Sequence, residues 1–278
     1  MTGWRNSARR LRMGLATLLA GQPQGFFTPY RYASQVAPLG PYPALEQVFR
    51  AAEAELSAVL DEIDAHAARL AGFDGPPPEP RWGQSWFPRL DGAAAYALVR
   101  RHRPQRIVEV GSGHSTRMLA RAALDAGGGT RITCIDPEPR AALKGLDVDW
   151  VRRVLSPDDV ALFATLRPGD IAFFDSSHIL WPGTDVDMIL NRILPVLAPG
   201  VLVHIHDVTL PDAYPEAWAW RGYTEQLGLA GWILGGAAAL VFSSTYALTR
   251  MGADTRPAIA ALPLPEGALE TSLWMQKT

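Results

Sequence analysis

The chain has 278 residues, 48% of them hydrophobic and 19% charged. This composition excludes a disordered chain and suffices for one large α/β domain with accessory helices, or for two small domains. The formal net charge of −2 excludes the broad basic field that nucleic-acid binding requires, and the single cysteine, Cys134, excludes an intrachain disulfide.

Two features of the sequence indicate the cellular compartment, namely the position of Cys134 and the basic and apolar residues at the N-terminus. Cys134 lies inside an apolar run, which predicts a buried thiol in a reducing cytoplasm. Residues 5–20 have a basic front and an apolar tail, and we interpret them as a basic amphipathic helix. An export signal with twin arginines and contact with a membrane surface are the alternatives. The short tail and the absence of a small-x-small cleavage site favour the helix, and we expect a cytoplasmic protein.

The next segment is helical and ends in a linker. From Pro43 to Gly72 apolar residues recur at helical spacing, which predicts one long helix. The Gly-Pro-Pro-Pro-Glu-Pro run at 75–80 is a stiff linker and the best candidate boundary. We therefore predict an N-terminal helical extension, 1–80, and an α/β domain, 81–278. The N-terminal helices are the candidate surface for a homo-oligomer.

Helices and short apolar strands alternate after residue 90. This pattern predicts a Rossmann-like, mostly parallel sheet with helices on both faces. The uncharged stretch 227–248 is long enough to cross a bilayer, but its glycines favour a buried helix, a Gly-Gly break and a core strand. The predicted strands are 106–110, 131–135, 149–154, 170–175, 200–205 and 238–243, and the predicted helices are 90–101, 115–126, 158–165, 184–197 and 219–234.

A nucleotide-binding half-fold is predicted between residues 106 and 136. A β-branched strand ends in a Gly-Ser-Gly turn at 111–113 and resumes as a helix, and the following strand ends on Asp136. The glycines allow backbone N–H groups to approach a ligand, and Asp136 can accept hydrogen bonds from ribose hydroxyls. Thr116 stands where the dinucleotide fingerprint has its third glycine, which disfavours NAD.

Polar residues follow four of the predicted strands and are expected to meet at one edge of the sheet. Asp175, His178, His206 and Asp207 form the cluster of greatest chemical interest. Their oxygen and imidazole groups suit a divalent metal such as Mg²⁺, Mn²⁺ or Fe²⁺. Alternatively, one histidine is a general base held by a carboxylate, or the groups only cap helices and bond loop backbone. His204 alternates with His206 on its strand and is predicted to be structural.

Four segments of the chain together resemble the class I S-adenosylmethionine (SAM) methyltransferases, in the small-molecule branch near macrocin O-methyltransferase and cephalosporin hydroxylase. These segments are Glu109–Thr116, Cys134–Pro139, Phe174–His178 and His204–Asp207. The resemblance covers about residues 88–245 and implies a SAM site. The residues it places there are Glu109, Gly111, Ser112, Gly113, Ser115, Asp136 and Asp175.

The resemblance also implies catalytic roles at the acidic end of the site. Asp175 and Asp207 match metal ligands of metal-dependent relatives, and His206 stands between them where those relatives have a glutamate. His178 matches their proposed base, so Asp175 and His178 are the predicted catalytic residues. We therefore predict O-methylation of a small hydroxylated metabolite, assisted by Mg²⁺ or another divalent metal. The alternatives are a metal-dependent oxygenase on the same fold and a non-catalytic partner that has kept the fold.

Substrate contacts are predicted in the aromatic segment 211–223. Trp218, Trp220, Arg221 and Tyr223 either wall an apolar pocket with one cation or begin a helix packed on the sheet. Other aromatic residues, at Trp181 and in segments 25–32 and 81–87, are expected in core packing or at a subunit interface more than at a ligand.

Overall fold

One seven-stranded sheet organises the computed structural model, which describes residues 2–21 and 23–278. Its strands are β1 (Arg106–Val110), β2 (Arg131–Ile135), β3 (Asp149–Val151), β4 (Ile171–Phe174), β5 (Leu202–Ile205), β6 (Ala238–Ser243) and β7 (Leu273–Lys277). Their order across the sheet is β3-β2-β1-β4-β5-β7-β6. The first five strands pair in parallel, and β7 is antiparallel to both β5 and β6. The predicted fold class is confirmed.

Six of the strands were predicted, and β7 was missed. Strands β1, β2 and β6 have the predicted bounds, whereas β3, β4 and β5 are shorter than predicted. The missed strand lies between β5 and β6 and pairs with both, so it joins β6 to the parallel part of the sheet.

Helices cover both faces of the sheet. Those of the described chain are α1 (Thr2–Leu19), α2 (Pro43–Ala51), α3 (Glu53–Ala65), α4 (Ala67–Leu70), α5 (Arg89–His102), α6 (His114–Asp125), α7 (Val160–Phe163), α8 (Asp185–Met188), α9 (Glu225–Leu234), α10 (Ser244–Arg250) and α11 (Pro257–Ala260). The single helix predicted over 43–72 is wrong in one respect, because it is interrupted at Ala52 and His66. The helix predicted over 184–197 is also irregular, since α8 continues as a π-helix (Ile189–Ile193) and a 3₁₀ helix (Leu194–Val196).

The N-terminal helices share their core with the sheet. Leu45 and Phe49 of α2 and Leu56 and Ile63 of α3 are buried in the same apolar cluster as the strand residues. An antiparallel bridge between Asp74 and Arg81 closes the proline-rich linker on itself. The apolar core is therefore continuous across residue 80, and the division of the chain at that point stays a prediction.

The uncharged stretch 227–248 contains most of α9, a Gly-Gly turn and β6. The predicted break and strand are confirmed, but the buried helix is wrong, because α9 is only partly buried and exposes Leu227 and Leu234. None of the helices in the described part of the chain combines the length and apolar character needed to cross a membrane. Because β1, β2, β4 and β5 run in parallel, the residues that follow them emerge at one edge of the sheet.

Candidate active site

The turn after β1 is shaped by its first glycine. Gly111 has φ +80°, a conformation that L side chains rarely adopt, and its N–H donates to the carbonyl oxygen of Ile135 at 3.1 Å. A Cβ atom at this position would lie 1.8 Å from the carbonyl oxygen of Asp175. Only glycine therefore lets the β1 turn pass so close to the segment that follows β4.

Asp136 ties the turn to the segment that follows β2. Its Oδ2 accepts from the backbone N–H of Ser112 at 2.5 Å, and its Oδ1 accepts from that of Glu138 at 2.6 Å. The side chain lines the cavity beside the turn, and a carboxylate with two such bonds retains lone pairs for a ligand. Asp136 thus holds the turn in shape and faces the space where a ligand would lie.

Glu109 occupies a different position from its neighbours in the predicted SAM site. It is fully buried and accepts hydrogen bonds from the hydroxyls of Ser115 and Thr116, each at 2.6 Å, and from the thiol of Cys134 at 3.3 Å. Burial raises the pKa of Glu109 to about 7. The structure therefore places Glu109 behind the turn, where it anchors α6 to the end of β1.

One cavity of about 680 Å³ opens above these loops. Of the predicted SAM residues, Gly111, Ser112, Ser115, Asp136 and Asp175 line it, whereas Glu109 and Gly113 do not. The volume falls within the usual range for sites that bind small molecules.

Four residues that line the cavity have a buried polar side-chain atom with no hydrogen-bond partner among the described residues. The atoms are Ser112 Oγ, His114 Nδ1, Ser176 Oγ and Arg221 Nε. Buried polar atoms are costly when they are left unpaired, so this wall is suited to a polar ligand that would supply partners.

His178 lies at the acidic end of the cavity and is held from two sides. Its Nδ1 is 2.8 Å from Oε2 of Glu225, and its Nε2 is 3.3 Å from Oδ1 of Asp175 and 3.6 Å from Oδ2 of Asp207. Burial opposes the charged imidazole, but the hydrogen bonds with Asp175 and Glu225 raise the pKa of His178 to about 10. The neighbouring acids therefore favour the protonated imidazole.

The backbone around this cluster is unusual. His178 has φ +60° and Asp207 has φ +53°, and among the described non-glycine residues only Arg103 shares a positive φ. Such conformations persist only where the surroundings enforce them, and they concentrate at functional sites.

His206 is the second imidazole of the cluster. Its Nδ1 is 3.5 Å from Oδ1 of Asp175 and 3.7 Å from Oδ1 of Asp207, and its Nε2 is 3.2 Å from Oδ2 of Asp91. Burial again opposes the charge, but Asp175 and its other acidic neighbours raise the pKa of His206 well above its ordinary value. Burial would raise the pKa of Asp175, yet the two imidazoles hold it well below its usual range.

The cluster does not fit a divalent metal in this arrangement. Within the described ranges, no group of three or more His, Cys, Asp or Glu side chains is placed so that it could hold a metal ion. Each acid already has a basic neighbour, since Asp175 lies between two imidazoles and Arg221 Nη1 is 3.4 Å from Oδ2 of Asp207. The metal site predicted at Asp175, His206 and Asp207 therefore gains no support from the geometry.

Two acidic residues of the site, Asp91 and Glu225, were not predicted from the sequence. Asp91 accepts from the backbone N–H groups of Thr271 and Ser272 as well as facing His206, and Glu225 faces His178. Each lies in the first turn of a helix, where an acidic residue is usually explained by the helix dipole. Neither position could be distinguished from an ordinary helix start.

The aromatic segment walls the far side of the cavity. The cavity is lined there by Trp218, Arg221 and Tyr223. The guanidinium carbon of Arg221 lies 4.6 Å from the ring centroid of Trp218 and 5.2 Å from that of Tyr223. Trp220 does not line the cavity. His204 is buried against Phe173 at a ring-centroid distance of 3.7 Å and bonds Ser272, as expected for a structural residue.

Residues 108–208 match a family model described as a methyltransferase domain, which spans β1 to the loop after β5. This match confirms the resemblance to methyltransferases over that segment, which is over a third of the chain. None of the curated proteins matches the chain.

Several solved structures are similar to the chain at low identity. SAH-bound methyltransferase PaMTH1 of Podospora anserina is 16% identical, over 91% of this chain and 99% of that one, with a TM-score of 0.41. O-methyltransferase TomG of Streptomyces achromogenes, in complex with SAM, is 17% identical, over 89% and 94%, with a TM-score of 0.42. CmcI with magnesium and SAM is 16% identical, over 76% and 84%, with a TM-score of 0.42. At these values the likenesses carry no argument about ligand or reaction in this chain.

Proposed function

We propose that this protein transfers the methyl group of SAM to the oxygen of a small hydroxylated metabolite. The observation that carries the proposal is a single cavity that joins the glycine turn and Asp136 at one end to the His178 cluster at the other. The methyltransferase match over residues 108–208 contains both ends.

The residues at the first end fit SAM. Asp136 would hold the ribose hydroxyls, and the unpartnered hydroxyl of Ser112 would bond the polar part of the ligand. Asp175 lines the cavity between the glycine turn and the His178 cluster, and the two imidazoles hold its pKa well below its usual range. SAM when bound supplies a methyl group on a sulfonium, which is a good leaving group.

The residues at the second end would orient the acceptor and take its proton. His178 Nε2 lies among acids at the cavity, so an acceptor hydroxyl placed there can donate to it once the imidazole is neutral. Glu225 fixes the ring from its other nitrogen. Trp218 and Tyr223 provide the apolar wall that would hold an acceptor in line with the methyl group.

Replacing Asp136 with Asn is expected to weaken SAM binding by at least about 100-fold. An asparagine offers one acceptor oxygen to two backbone N–H donors, so the turn at Ser112 loses a partner and the ribose loses a charged acceptor. Isothermal calorimetry with SAM measures this without a known acceptor. Asp149→Asn, at an exposed ion pair on β3, is the matched control and should bind normally. Absence of SAM binding by the unaltered protein would instead support a non-catalytic partner.

The rate of methyl transfer is expected to rise with pH between about 7 and 10. A base must be neutral to accept a proton, and the acids around His178 raise its pKa to about 10, so the neutral fraction grows through this range. Glu225→Gln removes a charge that raises this pKa and should move the midpoint of kcat/KM to lower pH. The measurement is SAH release against pH, with an acceptor found by screening hydroxylated metabolites. A pH profile unchanged by Glu225→Gln contradicts the role of His178 as base.

The mass of the product distinguishes the proposed transfer from oxygenation. A methylated acceptor gains about 14 mass units, whereas a hydroxylated one gains about 16. The first result supports the proposal, and the second would replace it with the oxygenase alternative.

A further inference from the structure

The first 45 residues differ in charge from the rest of the chain. They contain Arg5, Arg9, Arg10, Arg12 and Arg31 but none of the 28 acidic residues, although the whole chain has a formal net charge of −2. The N-terminal segment therefore carries a net positive charge, whereas the rest of the chain carries a net negative charge.

The same region holds more than half of the exposed large hydrophobic side chains. Of the 20 large hydrophobic side chains that are exposed among the described residues, 11 lie between residues 4 and 39. Isolated exposed apolar residues are common on protein surfaces, but such a concentration marks an interaction surface.

Helix α1 arranges its apolar residues as one stripe. Trp4, Leu11, Leu15 and Leu18 follow one another at intervals that keep them on a single helical face. Their exposed fractions are 79%, 65%, 48% and 58%. The stripe therefore faces outward in the folded chain.

The other face of α1 is turned toward the protein. Asn6, Met13, Ala16 and Thr17 are half-buried, and the hydroxyl of Thr17 accepts from the backbone N–H of Gln24 at 2.9 Å. An amphipathic helix that packed on its own domain would bury the apolar stripe instead.

Three of the arginines of α1, Arg5, Arg10 and Arg12, flank the exposed stripe at about 3.6 residues per turn, and Arg9 lies nearer the opposite face. Arg5, Arg9, Arg10 and Arg12 are exposed, and none of them forms an ion pair with an acidic residue in the described ranges. Arginines around a tryptophan- and leucine-rich stripe are typical of helices that lie in the interface of an anionic bilayer.

We infer that α1 is a docking helix for the surface of an anionic lipid bilayer, with its Trp4–Leu18 stripe in the interface and its arginines against lipid headgroups. Charge complementarity points to an anionic bilayer as the partner, because an acid-free segment with four exposed arginines suits negatively charged headgroups. The helix lies on the surface and does not cross it, in keeping with the lack of a membrane-spanning helix in the described chain.

This surface adjoins the mouth of the cavity. Helix α1 contacts the 3₁₀ helix Glu216–Arg221, which supplies Trp218 and Arg221 to the cavity wall. In the segment after α1, Phe26 stacks on Trp181 with ring centroids 5.2 Å apart. Docking through α1 would therefore bring the cavity near the bilayer, although the inference does not depend on the proposed reaction.

Sedimentation of the full chain with lipid vesicles tests the inference without SAM or an acceptor. We expect binding to vesicles of phosphatidylcholine with about one third phosphatidylglycerol to be at least about tenfold stronger than to phosphatidylcholine alone. Binding should weaken as the salt concentration rises from about 0.1 M to about 1 M. Equal binding to both kinds of vesicle, or none, would overturn the inference.

Paired variants separate the α1 stripe from apolar surface elsewhere. Leu11→Asp with Leu15→Asp should abolish vesicle binding, whereas Leu124→Asp with Leu227→Asp alters two exposed leucines on α6 and α9 and should leave it intact. Circular dichroism checks that both variants are folded. If the unaltered chain fails to bind vesicles and sediments as an oligomer that the α1 variant dissociates, a second copy covers the stripe and the inference is wrong.

Discussion

Replacing Gly111 with alanine is expected to remove at least about 3 kcal/mol from the free energy of unfolding and to abolish SAM binding. The new Cβ would lie 1.8 Å from the carbonyl oxygen of Asp175, and the backbone at φ +80° disfavours any L side chain. The obstructing atom belongs to the backbone, so no side-chain rotation relieves the overlap. Urea denaturation and calorimetry with SAM measure the two effects.

Gly128 provides the matched control for this prediction. It has φ +75°, close to that of Gly111, but a Cβ atom there would meet nothing within 4 Å. Gly128→Ala should therefore lower the free energy of unfolding by only about 1–2 kcal/mol, which is the cost of the positive φ, and should bind SAM normally. Equal losses in the two variants would mean that the close approach of the turn to Asp175 contributes nothing.

The convergence of the site could be predicted from the sequence because it follows from the direction of the strands. Once β1, β2, β4 and β5 are parallel, the residues after them must meet at one edge. The structure brings Gly111, Asp136, Asp175 and Asp207 around one cavity, as this argument requires. The roles assigned to these residues stay predictions, and the Gly111 and Asp136 variants test those of the glycine turn and its partner.

The residues that complete the site could not be predicted, because they come from distant parts of the chain. Asp91 reaches His206 from a helix that precedes β1, and Glu225 reaches His178 from a helix that follows β5. Each of these contacts depends on how a helix packs against the sheet, which hydrophobic spacing does not specify. The sequence therefore could not predict the charge balance of the cluster or its poor fit to a metal.

Local irregularities were missed for a related reason. The position of β7 between β5 and β6 depends on pairing with strands distant in the chain, which its local sequence does not specify. The breaks at Ala52 and His66 carry neither glycine nor proline, so nothing in the local sequence marks them. By contrast, the strands that end at the cavity had strong apolar runs and clear turns.

Replacing His178 with asparagine is expected to lower kcat by at least about 100-fold while leaving the affinity for SAM within a few-fold of normal. Asparagine tolerates the φ of +60° at this position, so the backbone can stay in place. Its shorter amide can still bond Glu225, but it cannot reach Asp175 as Nε2 does or accept the proton of an acceptor hydroxyl. Steady-state SAH release and SAM calorimetry report the two quantities separately.

His204→Asn is the control that distinguishes catalysis from burial. His204 is as buried as His178, yet it bonds Ser272 and stacks on Phe173 away from the cavity. This variant should unfold at a lower temperature and keep kcat within a few-fold, because its ring supports the sheet and does not face an acceptor. If His178→Asn also lost stability but kept kcat, proton transfer would have to be assigned to another group at the cavity, and the cluster would be a structural one.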